Sequence, residues 1–216
     1  MNSELEDYIA RHIDAEPPLL HDVYRSTYLN HLYPRMCSGH VQGRLLKMLT
    51  AMIKPRRVLE LGTFTGYSTL SIAEGLEPGS VIDTIEIDDE KEDELNETFG
   101  RSPYAGRIQV HIGDALDVMP TLRGTTYDMV FIDANKRRYN DYLDIILDVE
   151  LVKPGGFILA DNTLWDMKVV DTPADEIHDE QTRGIAAFND RVASDPRLEK
   201  FILPVRDGLT IIRVVG

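Results

Sequence analysis

From Arg57 onward, strand-type and helical patterns alternate along the chain, and this alternation limits the possible folds more than any other feature. Five short runs rich in Val, Ile and Leu are separated by helical stretches. Strands that return through helices pair in parallel, and such apolar runs are typical of a sheet covered on both faces. The pattern predicts strands over 57–61, 81–87, 108–112, 127–133 and 156–161, and helices over 67–76, 90–99, 115–122, 139–149 and 182–193.

The C-terminal segment departs from this alternation of strands and helices. Two strand-type runs, 200–205 and 209–215, are separated by Arg206, Asp207 and Gly208. A short connection containing Asp-Gly is typical of a β-hairpin, so these two strands should pair antiparallel. The fold class predicted is α/β: a Rossmann-like, doubly wound, seven-stranded sheet that is mostly parallel and ends in an antiparallel hairpin strand.

Three helical patterns, over 3–14, 19–33 and 38–53, precede the alternating region. No low-complexity linker and no internal repeat divides the chain. We therefore expect a single domain over 1–216, in which 1–55 form extra N-terminal helices and 56–216 form the Rossmann-like core.

The net charge limits the classes of partner that the protein could bind, and the cysteine content indicates its cellular compartment. The formal net charge of −14 over 216 residues argues against nucleic acid and anionic membranes, which require basic surfaces. Cys37 is the only cysteine, so no internal disulfide can form and a reducing compartment is favoured. We expect a cytoplasmic protein that binds neither nucleic acid nor membrane.

The first predicted strand ends in an acidic, glycine-containing turn, "ELGTFTG" at 60–66. Gly62 permits a backbone conformation and a close ligand approach that other residues prevent. The turn belongs to the sheet edge where open α/β proteins bind ligands. A dinucleotide site would present G-x-G-x-x-G to a pyrophosphate, but Glu60 takes the first glycine's place. A carboxylate directed into the turn suits an ammonium or a sulfonium, and S-adenosylmethionine (SAM) carries both.

The next two strand ends extend the same candidate site. Glu86, at the end of the second strand, is placed to accept hydrogen bonds from two ribose hydroxyls. The third strand leads to "GDAL" at 113–116, where an adenine ring is expected. One acid alone could be a solvated strand end, but three such motifs at successive strand ends favour a SAM site.

Two further acids end the fourth and fifth predicted strands: Asp133 in "VFIDANK" and Asp161 in "FILADN". Asn162 adds a neutral oxygen beside Asp161. If these strands are neighbours, three oxygen donors converge on one point, which favours a hard divalent cation. We predict Mg²⁺ or Ca²⁺, with Mn²⁺ as a further candidate.

Lys136 follows Asp133 by three residues, just past the strand end. A bound cation would lower the pKa of a neighbouring ammonium, which makes Lys136 a candidate general base for a hydroxyl. The alternative is a solvated lysine within the basic cluster 136–138. Trp165 also has two interpretations, as an aromatic wall for a phenolic substrate or as a half-buried packing residue. We predict Lys136 and Asp133 as the catalytic residues and Trp165 as a substrate contact.

Taken together, these segments resemble the metal-dependent class I O-methyltransferases. The resemblance is strongest to the caffeoyl-CoA O-methyltransferase type and its bacterial relatives, and weaker to catechol O-methyltransferase. It extends from about Met36 to the C-terminus. The matching stretches are 60–68, 85–88, 113–116, 131–142, 155–165 and 188–213.

The resemblance implies specific roles for residues of this chain, and usually a homodimer. The metal ligands would be Asp133, Asp161 and Asn162, and the proposed base would be Lys136. The N-terminal helices would form the cofactor lid and the substrate side. The implied cofactor contacts are Met36, Ser38, Glu60, Gly62, Phe64, Ser68, Glu86, Ala115 and Asp133.

The function predicted is SAM-dependent, divalent-metal-dependent methyl transfer to one hydroxyl of a catechol-like vicinal aromatic diol, free or CoA-linked. The metal would chelate both oxygens and acidify the reacting hydroxyl, and Lys136 would take up the proton. Two alternatives stay open: an NAD-dependent oxidoreductase on a similar sheet, and a SAM-binding protein without catalytic activity.

Overall fold

The structure, a computed structural model, describes residues 3–171 and 178–216. Seven strands form one sheet in the order β3-β2-β1-β4-β5-β7-β6. Neighbours among β1 to β5 pair in parallel, whereas β7 is antiparallel to both β5 and β6. This confirms the predicted fold class. The strands are β1 Arg57–Leu61, β2 Val81–Glu86, β3 Ile108–Ile112, β4 Tyr127–Ile132, β5 Val152–Asp161, β6 Leu198–Leu203 and β7 Leu209–Val214.

Nine α-helices occur in the described residues, and the first three are the predicted extra N-terminal helices. None of these helices has both the length and the apolar composition needed to cross a bilayer. The helices are α1 Ser3–His12, α2 Pro18–Asn30, α3 Gly39–Ile53, α4 Tyr67–Gly75, α5 Glu92–Gly100, α6 Ala115–Thr121, α7 Tyr139–Asp148, α8 Lys168–Asp171 and α9 Glu180–Ser194.

Alternating residues of the central strands divide the core between the two faces of the sheet. Leu59 and Val130 pack on the face covered by α6, α7 and α9. Val58 and Phe131 pack on the opposite face, with residues of α3 and α4. Because successive strand residues point to opposite faces, Glu60 shares the direction of Val58. Its carboxylate is therefore carried toward α4.

Two strands have boundaries that differ from the sequence prediction by more than one residue. β5 begins at Val152, four residues before the predicted start, and a register shift opposite Tyr127 accommodates the extra length. The Pro154-Gly155 pair, which is unusual inside a strand, hid this extension in the sequence. β6 covers Leu198–Leu203 and stops before Pro204, because proline has no N–H to continue the ladder.

The end of β1 meets the end of β4 at Gly62. The backbone N–H of Asp133 donates to the carbonyl oxygen of Leu61 at 2.9 Å, and that of Gly62 donates to Ile85 at 3.0 Å. Gly62 has φ +95°, and a Cβ atom there would stand 2.2 Å from the carbonyl oxygen of Asp133. Only glycine allows the two strand ends to lie this close.

We predict that Gly62→Ala destabilises the fold by roughly 1–3 kcal/mol more than Gly79→Ala, because it adds a backbone clash to the conformational strain. Gly79 is the matched control, since its φ of +86° is similar and a Cβ there would meet nothing within 4 Å. Urea unfolding of both variants measures the difference. Equal destabilisation would show that the close approach to Asp133 does not restrict this position.

Candidate active site

A cavity of about 990 Å³ lies at the carboxyl ends of the central strands, where the sequence predicts the site. The segment 32–38, between α2 and α3, forms another part of its wall. All but one of the predicted site residues line this cavity: Met36, Ser38, Gly62, Phe64, Ser68, Glu86, Ala115, Asp133, Lys136, Asp161, Asn162 and Trp165. The exception is Glu60.

Glu60 is fully buried and is directed under α4 rather than into the turn, because of its position in the strand alternation. Its Oε2 accepts hydrogen bonds from the hydroxyl of Thr84, at 2.6 Å, and from that of Thr69. Burial raises the pKa of Glu60 to about 7, although the hydroxyls of Ser68, Thr69 and Thr84 lower it. Among the described residues, Oε1 has no hydrogen-bond partner. It is the atom left for a donor on a ligand.

Glu86 is held at the cavity wall by the main chain. The N–H of Phe64 donates to its Oε2 at 2.7 Å, and the N–H of Asp88 donates to its Oε1 at 3.0 Å. Phe64 adopts φ +52°, and Lys91 Nζ lies 5.1 Å from the centre of its ring. Each carboxylate oxygen keeps a lone pair beyond these bonds, so two adjacent hydroxyls could be bound at once.

The acids that end β4 and β5 act on each other across the same cavity. Asp161 is buried, and its pKa is raised to about 6 by burial and by the negative charge of Asp133. Asp133 accepts a hydrogen bond from Lys136 Nζ at 2.5 Å. The expectation that adjacent strand ends bring these two carboxylates together therefore holds.

Lys136 is 8% exposed, so the interpretation as a solvated lysine is wrong. Burial by itself lowers the pKa of Lys136, but Asp133, Tyr139 and Asp161 raise it by more, and the net pKa lies above the ordinary value. These surroundings favour the ammonium form. A base role for Lys136 therefore requires that the nearby carboxylate charges be neutralised.

Tyr139 takes part in the site in a way that the sequence did not indicate. Its buried hydroxyl accepts a hydrogen bond from Lys136 Nζ at 3.0 Å. The same hydroxyl points at the carbonyl oxygens of Asp161, at 3.0 Å, and Ile132, at 3.1 Å. Helical spacing can indicate that such a ring packs in the core, but it cannot reveal the polar contacts that fix Lys136 between β4 and β5.

Gln42 and Arg206 are also absent from the predicted site. Gln42, on α3, is buried and donates from Nε2 to Asp161 Oδ2 at 2.5 Å. Arg206, in the β6–β7 connection, donates from Nη1 to Gln42 Oε1 at 2.9 Å. These residues are 164 positions apart, so no local pattern connects them. Together they fix one oxygen of Asp161.

Asn162 and Trp165 follow β5 in left-handed backbone conformations, with φ of +59° and +47°. The N–H of Asn162 donates to Asp161 Oδ1 at 2.9 Å. Trp165 is half-buried, packs against the core cluster under α7 and α9, and also lines the cavity. Both interpretations of Trp165 are therefore compatible with its position.

Across residues 3–171 and 178–216, His, Cys, Asp and Glu side chains nowhere gather in groups of three suited to a metal. The set predicted from the sequence contains only two acids, and its third donor is the amide of Asn162. Two carboxylates and an amide oxygen are ligand types that Mg²⁺ and Ca²⁺ accept. The chemistry of the donor set fits a hard cation that takes further oxygen ligands from water or substrate.

Comparison with known proteins places the chain in a family. The model of the O-methyltransferase family matches residues 10–215. Caffeoyl-CoA O-methyltransferase 5 from Nicotiana tabacum is 33% identical over 197 residues, which cover 88% of this chain and 81% of the relative.

Two solved structures share the fold along their whole length. The O-methyltransferase TomG from Streptomyces achromogenes, in complex with SAM, has a TM-score of 0.89 and 27% identity, with 100% of both chains covered. The O-methyltransferase from Bacillus cereus, in complex with S-adenosylhomocysteine (SAH), has a TM-score of 0.88 and 27% identity, with 98% and 97% covered. The chain therefore belongs to the O-methyltransferase family and is a SAM-dependent O-methyltransferase of the caffeoyl-CoA type.

Proposed function

We propose that this enzyme transfers the SAM methyl group to one hydroxyl of a catechol-like vicinal aromatic diol, with a divalent cation bound by Asp133, Asp161 and Asn162. The observation that carries the proposal is that two interacting carboxylates, Asp133 and Asp161, and the buried Lys136 converge in the cavity that also contains Glu86. The relative from tobacco is named for caffeoyl-CoA, which contains such a diol. A caffeoyl-type acceptor is therefore the first to test.

The donor half of the cavity fits the chemical groups of SAM. Glu60 does not line the cavity, but Ser68, whose hydroxyl lowers the pKa of Glu60, does. Oε1 of Glu60 is a buried acceptor without a partner among the described residues, and the SAM ammonium is a donor of opposite charge. Glu86 offers two fixed oxygens to the ribose hydroxyls. A pyrophosphate would be repelled by these acids, which disfavours the NAD-dependent alternative.

The acceptor half would hold the cation on Asp133, Asp161 and Asn162. A divalent cation bound there supplies Lewis acidity toward the diol oxygens. Two carboxylates beside one buried lysine leave an excess of negative charge, which opposes ionisation of Asp161 and favours binding of a cation.

Lys136 is the candidate proton acceptor, and its neighbours control both its position and its charge. Hydrogen bonds to Asp133 and Tyr139 place Nζ in the cavity wall. Neutralising the carboxylates would remove the interactions that raise the pKa of Lys136, and the lysine could then accept the phenolic proton. The fixed positions of donor and acceptor residues would orient the two reactants and so contribute to the rate.

A SAM-binding protein without activity would need neither the acids nor Lys136. Incubation with labelled SAM and a panel of catechols separates that alternative from the proposal. The cytoplasmic location and the homodimer stay predictions, and size-exclusion chromatography with light scattering tests the dimer.

We predict that Glu60→Gln weakens SAH binding about tenfold or more, because it removes the charge that pairs with the ligand ammonium. In the unmodified enzyme, affinity should fall as the pH drops below about 7, where Glu60 takes up a proton. The variant should lose this dependence. Calorimetric titration from pH 6 to 8 measures the SAH affinity and its pH dependence in each form of the enzyme, with the exposed Glu97→Gln as the control. An unchanged pH profile in Glu60→Gln would contradict the proposed contact.

We predict that chelation by EDTA abolishes turnover and that Mg²⁺, Ca²⁺ or Mn²⁺ restores it. Asp161→Ala should reduce activity at least about a hundredfold even with added cation. Because the pKa of Asp161 is about 6, protons should compete with the cation, and the concentration required should rise as the pH falls through 6. Asp148→Ala, an exposed acid on α7, is the control. Full activity after complete metal removal would reject the cation.

We predict that Lys136→Met lowers kcat by roughly 10²–10⁴-fold while SAH affinity changes less than twofold, because a general base acts on the chemical step. Lys136→Arg should be similarly slow, since arginine keeps the charge but does not release its proton. Steady-state kinetics and calorimetry provide the two readouts, and the exposed Lys153→Met is the matched control. An active Lys136→Arg enzyme would exclude the base role and leave Lys136 as a positively charged support for Asp133.

A further inference from the structure

Arg206 adopts a backbone conformation that is unfavourable for a non-glycine residue. Its φ is +51°, in the left-handed region, where glycine is favoured and arginine is not. The residue lies in the β6–β7 connection, where a glycine would relieve the strain without altering either strand. A non-glycine residue in a strained conformation beside a cavity is a reason to examine what its side chain does there.

The guanidinium of Arg206 belongs to the wall of the active-site cavity. It lines the same space as Lys136, Asp161 and Trp165. Within the described part of the chain, its polar contact is the bond from Nη1 to Gln42 Oε1, at 2.9 Å. That partner is a neutral amide, and arginine has five N–H donors. Donors therefore remain for a further acceptor.

Arg206 is exposed to solvent, and none of the ion pairs found among the described residues includes it. Asp207, the next residue, accepts a hydrogen bond from the backbone N–H of Asp166, so its carboxylate is engaged elsewhere. Burial raises the pKa of Cys37 to about 11 and that of Tyr24 to about 12, so both stay uncharged near neutral pH. Asp161 lies on the other side of the Gln42 amide, which separates it from the guanidinium.

We propose that Arg206 is an anion subsite for the acceptor: it binds a carboxylate or phosphate carried by the substrate at a distance from the reacting diol. This inference rests on the proposed function, because the anionic group belongs to the same acceptor molecule whose diol is methylated. The side-chain amide of Gln42 bridges the guanidinium and Asp161. The subsite and the proposed cation site therefore lie in one cavity. Neutral catechols would use the cation site alone.

The test compares matched acceptors in three forms of the enzyme. Caffeate and methyl caffeate share the diol and differ in the carboxylate, and caffeoyl-CoA carries phosphates instead. The variants are Arg206→Gly, which relieves the backbone strain, and Arg213→Gln, which removes an arginine of β7 that pairs with Glu199. Thermal unfolding of Arg206→Gly should occur at the same or a higher temperature, so loss of function would not reflect misfolding.

We expect Arg206→Gly to raise KM for the anionic acceptor about tenfold, to leave KM for methyl caffeate within twofold, and Arg213→Gln to change neither. An increase for caffeate identifies a carboxylate as the anion, and an increase for caffeoyl-CoA alone identifies a phosphate. Equal changes for all acceptors, or no change, would overturn the subsite. Equal changes would show that Arg206 acts only through Gln42, and no change would show that Arg206 has no part in acceptor binding.

Calorimetric binding of caffeate to the SAH-loaded protein separates this inference from the proposed function. If no diol is methylated but caffeate binds and Arg206→Gly weakens that binding, the anion subsite stands and the proposed reaction fails. If diols are methylated and caffeate binding does not depend on Arg206, the reaction stands and the subsite fails. Absence of both turnover and binding would overturn both.

Discussion

The close contact between the ends of β1 and β4 is the constraint on which the rest of the site depends. Gly62 approaches the carbonyl oxygen of Asp133 so closely that no side chain fits between them. This contact joins the turn whose Phe64 N–H donates to Glu86 with the strand end that carries Asp133 and Lys136. The donor and acceptor halves of the cavity therefore share one rigid junction, and their relative position does not depend on a mobile loop.

Buried charge is the second organising feature, and it makes the site ready for ligands of positive charge. Glu60 and Asp161 both have raised pKa values because burial disfavours their ionised forms. Lys136 is held charged by the acids around it and compensates only part of their charge. A ligand ammonium beside Glu60 and a cation beside Asp161 would each remove an electrostatic penalty that the protein carries alone. The arrangement is costly for stability and favourable for binding.

The strands and the acids at their ends could be predicted because they depend on local periodicity. A period of two, a terminal carboxylate and a glycine turn are all visible in short windows, and they placed Glu86, Asp133 and Asp161 correctly at one edge. Contacts between distant segments were not visible. Gln42 reaches Asp161 from α3, and Tyr139 combines an ordinary packing position with bonds to Lys136. The direction of Glu60 was missed because the turn motif was considered without the alternation of β1.

Half of the left-handed non-glycine residues in the described part of the chain lie in the wall of the active-site cavity. Four non-glycine residues with positive φ line the cavity: Phe64, Asn162, Trp165 and Arg206. Phe64 presents its N–H to Glu86, and Asn162 presents its own to Asp161. The left-handed conformations therefore aim backbone donors at the two acids, and Arg206 aims a side chain at the same cavity. Lys54, Glu150, Asp166 and Met167 share this conformation without lining the cavity. Support for the site therefore comes from the backbone donors that the cavity residues present to the two acids, rather than from the strain alone.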